Sequence, residues 1–180
     1  MTDRVSVDGA RLRAWAYLSR VAEAPCAELA ALVNQAGPEE AAQRIRRGDV
    51  APELARRTEG RRDLDCAAED LELLHRRGGR LITADDDEWP LLAFTSFGGV
   101  PVRDKPQGRP PLALWAIGPA RLDEVTERAA AIVGTRAATA YGDHMAAELS
   151  AGLVERDVVV VSGGAYGIDG TAHRATLAAE

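Results

Sequence analysis

The chain has 180 residues and a mass of 19.2 kDa, enough for one or two domains with real cores. With 46% hydrophobic and 28% charged residues and a mean hydropathy of −0.18, it falls outside the disordered and fibrous classes. No apolar run reaches the roughly 18 residues that cross a bilayer, and Met1–Ser6 lacks the apolar stretch of a signal peptide, so a cytoplasmic protein is expected. Cys26 and Cys66 have no CxxC or Cys/His companion and read as reduced thiols rather than as a disulfide framework or a zinc site. The net charge of −6 argues against gripping nucleic acid by bulk charge. That sum hides an asymmetry. Residues 1–80 carry 14 arginines and 14 acids, whereas residues 81–180 carry 8 basic and 14 acidic residues. Lys105 is the only lysine, a skew that GC-rich coding explains as well as phosphate recognition does.

Residues 1–80 read as a small helical domain. Leu12, Trp15, Ala16 and Leu18 recur at helical spacing within Ala10–Glu23, and Leu29, Leu32 and Val33 do so within Cys26–Val33. Pro25 separates these two helices. Gly37-Pro38 closes the second and opens a third, Glu39–Arg47, which Gly48 stops. A longer helix is predicted over Arg61–Arg77, with Leu64, Ala67, Ala68, Leu71 and Leu74 on its apolar stripe and an end at Gly78-Gly79.

Residues 81–111 form a connecting segment, with a short strand at Leu81–Thr83 and a turn or short helix over the acid run Asp85–Pro90. Metal binding by that run is disfavoured, because consecutive acids converge on one ion only in a sharply turned loop. Gly98–Pro111, with four prolines, reads as a linker. From residue 112 the pattern becomes βαβ. Apolar runs at Leu112–Ile117, Ala129–Val133 and Val158–Val161, with an amphipathic helix at Tyr141–Arg156, predict a parallel α/β sheet.

Two glycine turns carry the chemistry. Ala131–Val133 runs into Gly134-Thr135-Arg136, where a backbone able to approach closely, a hydroxyl and a guanidinium fork suit a phosphate. The segment is neither a GxGxxG fingerprint nor a Walker loop, and an ordinary βα turn with a surface arginine fits it equally. The second strand repeats the arrangement with Ser162-Gly163-Gly164-Ala165-Tyr166-Gly167-Ile168-Asp169, followed by a helix at Thr171–Ala179. Two such loops at the carboxyl ends of neighbouring parallel strands would form one anion groove. Asp169 is expected to cap that helix rather than act as an acid. His173 reads as a packing residue, Tyr166 as a residue that stacks a base or plugs the loop, and His75 and His144 as ordinary surface histidines.

The segments Gly134-Thr135-Arg136-x-x-Thr139-x-Tyr141-Gly142 and Ser162-Gly163-x-Ala165-x-Gly167-Ile168-Asp169-x-x-Ala172-His173 resemble the DprA/Smf DNA-processing family. The upstream helices, the Asp86-x-x-Trp89-Pro90 turn and the Leu112–Gly118 strand resemble the family's N-terminal SAM-like domain and the entry into its Rossmann-like domain. The composition is similar to that of an actinobacterial member. The resemblance implies a SAM-like helical domain at 1–80, then, after the 81–111 connection, an incomplete Rossmann-like parallel α/β domain at 112–180. It implies single-stranded DNA binding, loading of the recombinase RecA in natural transformation and recombination, and no catalysis or cofactor. Gly134, Thr135, Arg136, Ser162, Gly163, Gly164, Ala165, Gly167 and Ile168 would hold DNA phosphates. Thr135 stands where many members have serine. Family members continue beyond the point matching Glu180 with strands that complete the sheet and a homodimer surface, so a chain ending there is expected to leave apolar sheet surface uncovered. The alternative is a nucleotide hydrolase resembling the LOG-like phosphoribohydrolases, whose PGGxGT segment is absent from this sequence.

Overall fold

A computed structural model describes residues 2–99 and 109–179. It is a mixed α/β structure in two compact units, Met1–Pro119 and Ala120–Glu180.

The first unit is built on α1 (Thr2–Val21), which buries Ala14, Trp15, Ala16, Tyr17, Leu18 and Val21. Around it pack α2 (Ala27–Ala36), α3 (Pro38–Arg47), α4 (Pro52–Thr58) and α5 (Ala67–Arg76), which contribute Leu29, Leu32, Val33, Ala41, Ala42, Ile45, Leu54 and Leu74 to the same core. The punctuation predicted from sequence is seen here. Pro38 opens α3 and Gly48 ends it in a left-handed conformation at φ 73°. Of the helix predicted over Arg61–Arg77, only Ala67–Arg76 is helical, as α5. Its first six residues form turns and irregular chain instead, and Leu64, assigned to the apolar stripe, is 63% exposed.

Strand β1 (Gly79–Thr83) pairs antiparallel with β2 (Ala113–Ile117), in the register Leu81↔Trp115. The Leu112–Ile117 run, expected to lead into the parallel sheet, thus belongs to the first unit. Hydrophobicity marks a strand but not its partner; Leu81 joins the core of the helices, and Ile82 is fully buried as well.

The acid run between them is a turn held by specific partners. Asp86 accepts from the Thr83 amide and hydroxyl at 2.7 and 2.8 Å, Asp85 pairs with Arg11 and the Trp15 indole, and Glu88 pairs with Arg80. These carboxylates diverge to separate donors, which is the geometry of a braced turn. Helix α6 (Leu91–Gly99) follows, and most of the Gly98–Pro111 linker lies outside the described residues.

The second unit is a βαβα arrangement. After α7 (Leu122–Glu127), strand β3 (Ala129–Ala131) pairs in parallel with β4 (Val159–Val161). Helix α8 (Ala140–Val154) crosses between them and α9 (Ile168–Ala179) follows β4. Both helices contact β4 and pack on each other, and the middle residues Ala130 and Val160 are half-buried. The flanking residues Ala129, Ala131, Val159 and Val161 are exposed.

Candidate nucleic-acid interface

The parallel pairing of β3 and β4 brings the two glycine loops side by side at the strands' carboxyl ends. Ile132 donates its amide to the Val161 carbonyl at 2.9 Å, which carries the pairing one residue past β3. Beyond it the loops interlock. The Ser162 hydroxyl donates to the Ile132 carbonyl at 2.8 Å, and the Ile168 amide donates to the Thr135 carbonyl at 3.2 Å.

The glycines divide into two kinds. A Cβ on Gly134 would lie 2.7 Å from Ile168 Cγ1, and one on Gly167 would lie 2.3 Å from the Thr135 carbonyl oxygen. Both are glycine because the loops press on each other. At Gly164, with φ 71°, a Cβ would meet nothing within 4 Å. That position alone of the three leaves open space beside the backbone where a ligand atom can approach.

Asp169 is the feature that sequence reasoning misplaced. It was expected as the cap of a helix starting at Thr171, but α9 begins at Ile168 and Asp169 lies inside its first turn, 6% exposed. Its two carboxylate oxygens accept the Gly134 amide at 3.4 Å and the Gly163 amide at 3.1 Å, one from each loop. Asp169 is therefore a clasp between loops. The early helix start has a local cause, since Gly167 at φ 78° turns the chain just before Ile168. Desolvation pushes the Asp169 carboxyl upward, but the amides of Ala165, Gly134 and Gly163 outweigh it and hold the group below the ordinary carboxylate range.

This clasp changes which atoms can serve an anion. The amides of Gly134 and Gly163 already donate to a carboxylate. Those of Thr135, Arg136 and Gly164 have no hydrogen-bond partner among the described residues. The Thr135 hydroxyl accepts from the Ala137 amide at 3.2 Å and so shapes its own loop. Arg136 is exposed and makes no ion pair among the described residues, unlike most arginines of the first unit, which face carboxylates. Ala165 is half-buried under the second loop, and Tyr166 is 86% exposed, so it projects outward instead of plugging the loop.

Two helix starts support the loops. The Thr139 hydroxyl accepts the Gly142 amide at 3.2 Å and caps α8, where the sequence signals placed a helix start. The Thr171 hydroxyl donates to Asp143 at 2.8 Å and accepts from Arg174 at 2.9 Å, tying α9 to α8. The i, i+3 spacing of Thr171 and Arg174 was a legible signal for the second contact, whereas the partner Asp143 lies 28 residues away.

Two glycine-bearing loops at the carboxyl ends of parallel strands, with amides and an arginine unpartnered among the described residues, place the Ala120–Glu180 unit among α/β structures with donors available at such a site. Residues 80–180 match the model of the family described as DNA recombination-mediator protein A, and the chain belongs to that family. It is similar to two proteins named DNA processing protein DprA, from the CDC 1551 and H37Rv strains of Mycobacterium tuberculosis, each 71% identical over 168 residues. The match takes in 93% of this chain and 43% of each relative, so the chain spans less than half the length of the curated relatives it matches. No helix among the described residues is long and apolar enough to cross a membrane.

Proposed function

We propose that the chain binds single-stranded DNA through the phosphates of its backbone, at the crevice of the two loops, as part of a protein that delivers the strand to the recombinase RecA in recombination and natural transformation. The observation that carries this reading is the set of unpartnered donors. The amides of Thr135, Arg136 and Gly164 and the Arg136 guanidinium have no partner among the described residues, a Cβ on Gly164 would meet open space, and Asp169 bonds to both loops. Family membership supports a role in DNA processing. The proposed action is holding and presenting a strand, with no bond made or broken, carried out by a member of the Rossmann-like class with a SAM-like helical domain at its N-terminus, working in the cytoplasm and as a homodimer.

A phosphate diester at this site would take two or three backbone N–H bonds and one fork from Arg136. Such contacts read the backbone and not the base, so binding should be insensitive to sequence and should weaken with salt. The acidic total charge is compatible with this, because the donors are focused at one place while several carboxylates elsewhere, such as Asp85 and Glu88, are paired with arginines.

Fluorescence anisotropy of labelled oligothymidylate, compared with a duplex of equal length at two salt concentrations, tests the reading. Arg136→Ala should weaken single-strand binding by about 1–3 kcal/mol and flatten the salt dependence by about one phosphate contact. Equal affinity of wild type and Arg136→Ala at both salts, with both proteins folded by circular dichroism, would sink it.

A further inference from the structure

The Met1–Pro119 unit carries an open cavity of about 250 Å³ that the loop site does not use. It lies where the exposed ends of β2 meet α1 and α5. Trp115 forms one wall, and Leu73, Leu74 and Ile117 supply the rest of the apolar lining. The indole is fixed in place. Its Nε1–H donates to the Ser19 hydroxyl at 3.2 Å, and that hydroxyl in turn donates to the Ala16 carbonyl at 2.8 Å. Even so Trp115 is 38% exposed, and Ile117, which lines the same cavity, is 66% exposed.

The rim of this cavity is cationic. Asp70 is its one acid, and that charge is matched by Arg20, with which it forms a close ion pair. Arg77 adds a second guanidinium, exposed and without a carboxylate partner among the described residues. A held aromatic face with an apolar floor suits a flat ring. An uncompensated arginine at its edge suits an anion. Single-stranded nucleic acid presents both together, and stacking of this kind is tolerant of sequence because every base has a π-face.

We propose that the Trp115 cavity is a second DNA contact, in which a nucleobase stacks on the Trp115 indole while Arg77 meets the neighbouring phosphate. This contact rests on the DNA-binding reading above and adds base stacking to the phosphate binding of the loops. Asp70 and Arg20 serve as its neutral flank. Arg20 is positioned to keep the carboxylate from repelling the strand.

The test uses the 180-residue protein and oligothymidylate. Trp115→Leu keeps an apolar side chain but removes the π-face, and should lower affinity about 5- to 100-fold, while Trp115→Phe restores most of it. Arg77→Ala should reduce the salt slope by about one. In ¹⁵N spectra of the wild-type protein the Trp115 indole N–H signal, assigned by its loss in Trp115→Phe, should move on titration, while that of Trp15, bonded to Asp85, stays still. The wild-type spectrum decides the matter should Trp115→Leu fail to fold. Wild type that binds oligothymidylate with a static Trp115 signal and unchanged Trp115→Leu and Arg77→Ala affinities overturns this contact and leaves the loop site standing. Wild type that fails to bind oligothymidylate at low salt overturns the DNA-binding reading itself, and this contact with it. A Trp115 signal moved by an alternating valine–glutamate peptide and not by the oligonucleotide makes the cavity a polypeptide site, which also overturns it.

Discussion

Ile168 occupies the volume that a side chain on Gly134 would need, with its Cγ1 and Cβ placed 2.7 and 2.9 Å from where that Cβ would sit. The first loop is thus closed by the first residue of the helix that follows the second loop. Gly134→Ala should destabilise the Ala120–Glu180 unit by about 1–3 kcal/mol, the range for overpacking. Ile168→Ala opens the space at its own cost, so the double variant should lose less than the two single losses combined. Urea unfolding of the four proteins gives the coupling, and strictly additive losses would show that the two residues do not meet.

Gly164 and Gly167 make a matched pair, since both have positive φ, 71° and 78°, and an alanine at either meets the same intrinsic strain of about 1–2 kcal/mol. Their surroundings differ. Gly167→Ala drives a methyl into the Thr135 and Arg136 carbonyl oxygens, at 2.3 and 2.7 Å, and should prevent the loops from docking. Gly164→Ala meets open space and should fold. Thermal melts separate the two, and Gly164→Val should additionally abolish oligothymidylate binding by filling the space beside the free amides.

Asp169 predicts a pH dependence. Its carboxyl is held below the ordinary value of about 3.9 in the native state, so its stabilising effect is complete above that value and is lost as pH falls through the lower native one. Asp169→Asn cannot charge and offers one acceptor oxygen where two are used. The variant should melt at a lower temperature at neutral pH and show less acid sensitivity than wild type below about pH 4. Melting curves of the two proteins that stay parallel across the acid range would remove Asp169 from the clasp.

In the first unit, Asp85 joins α1 to the turn after β1, taking two bonds from Arg11 at 2.8 Å and one from the Trp15 indole at 2.6 Å. Hydrogen bonding from Arg11 draws its carboxyl below the ordinary range, desolvation opposes this, and Trp15 adds to the lowering. Asp85→Ala leaves the N–H of a 5% exposed tryptophan without its partner and should cost about 1–3 kcal/mol by urea denaturation. Arg11→Ala removes the half-exposed ion pairs with Asp85 and Glu39 but leaves the Trp15 bond to Asp85, and should cost about 0.2–1 kcal/mol.

Short-range rules determined much of this protein. The breaks at Pro25, Gly37-Pro38 and Gly48, the Thr139 cap and the two strand-to-glycine turns follow from φ preferences and local hydrogen bonding, and they were legible in residues a few positions apart. The motif spacing that identifies the family was legible in the same way. Tertiary structure decided the rest, because it depends on partners far along the chain. Leu112–Ile117 was visible as a strand, but its pairing with β1 depends on a register across more than thirty residues. Asp169 was visible as a polar residue at a helix start, but only the packing of β3 beside β4 brings Gly134 within its reach. The same packing separates Gly134 and Gly167, which are small because another segment lies against them, from Gly164, which is small beside empty space. Sequence shows where a chain can bend closely; the fold determines whether protein or ligand fills the room.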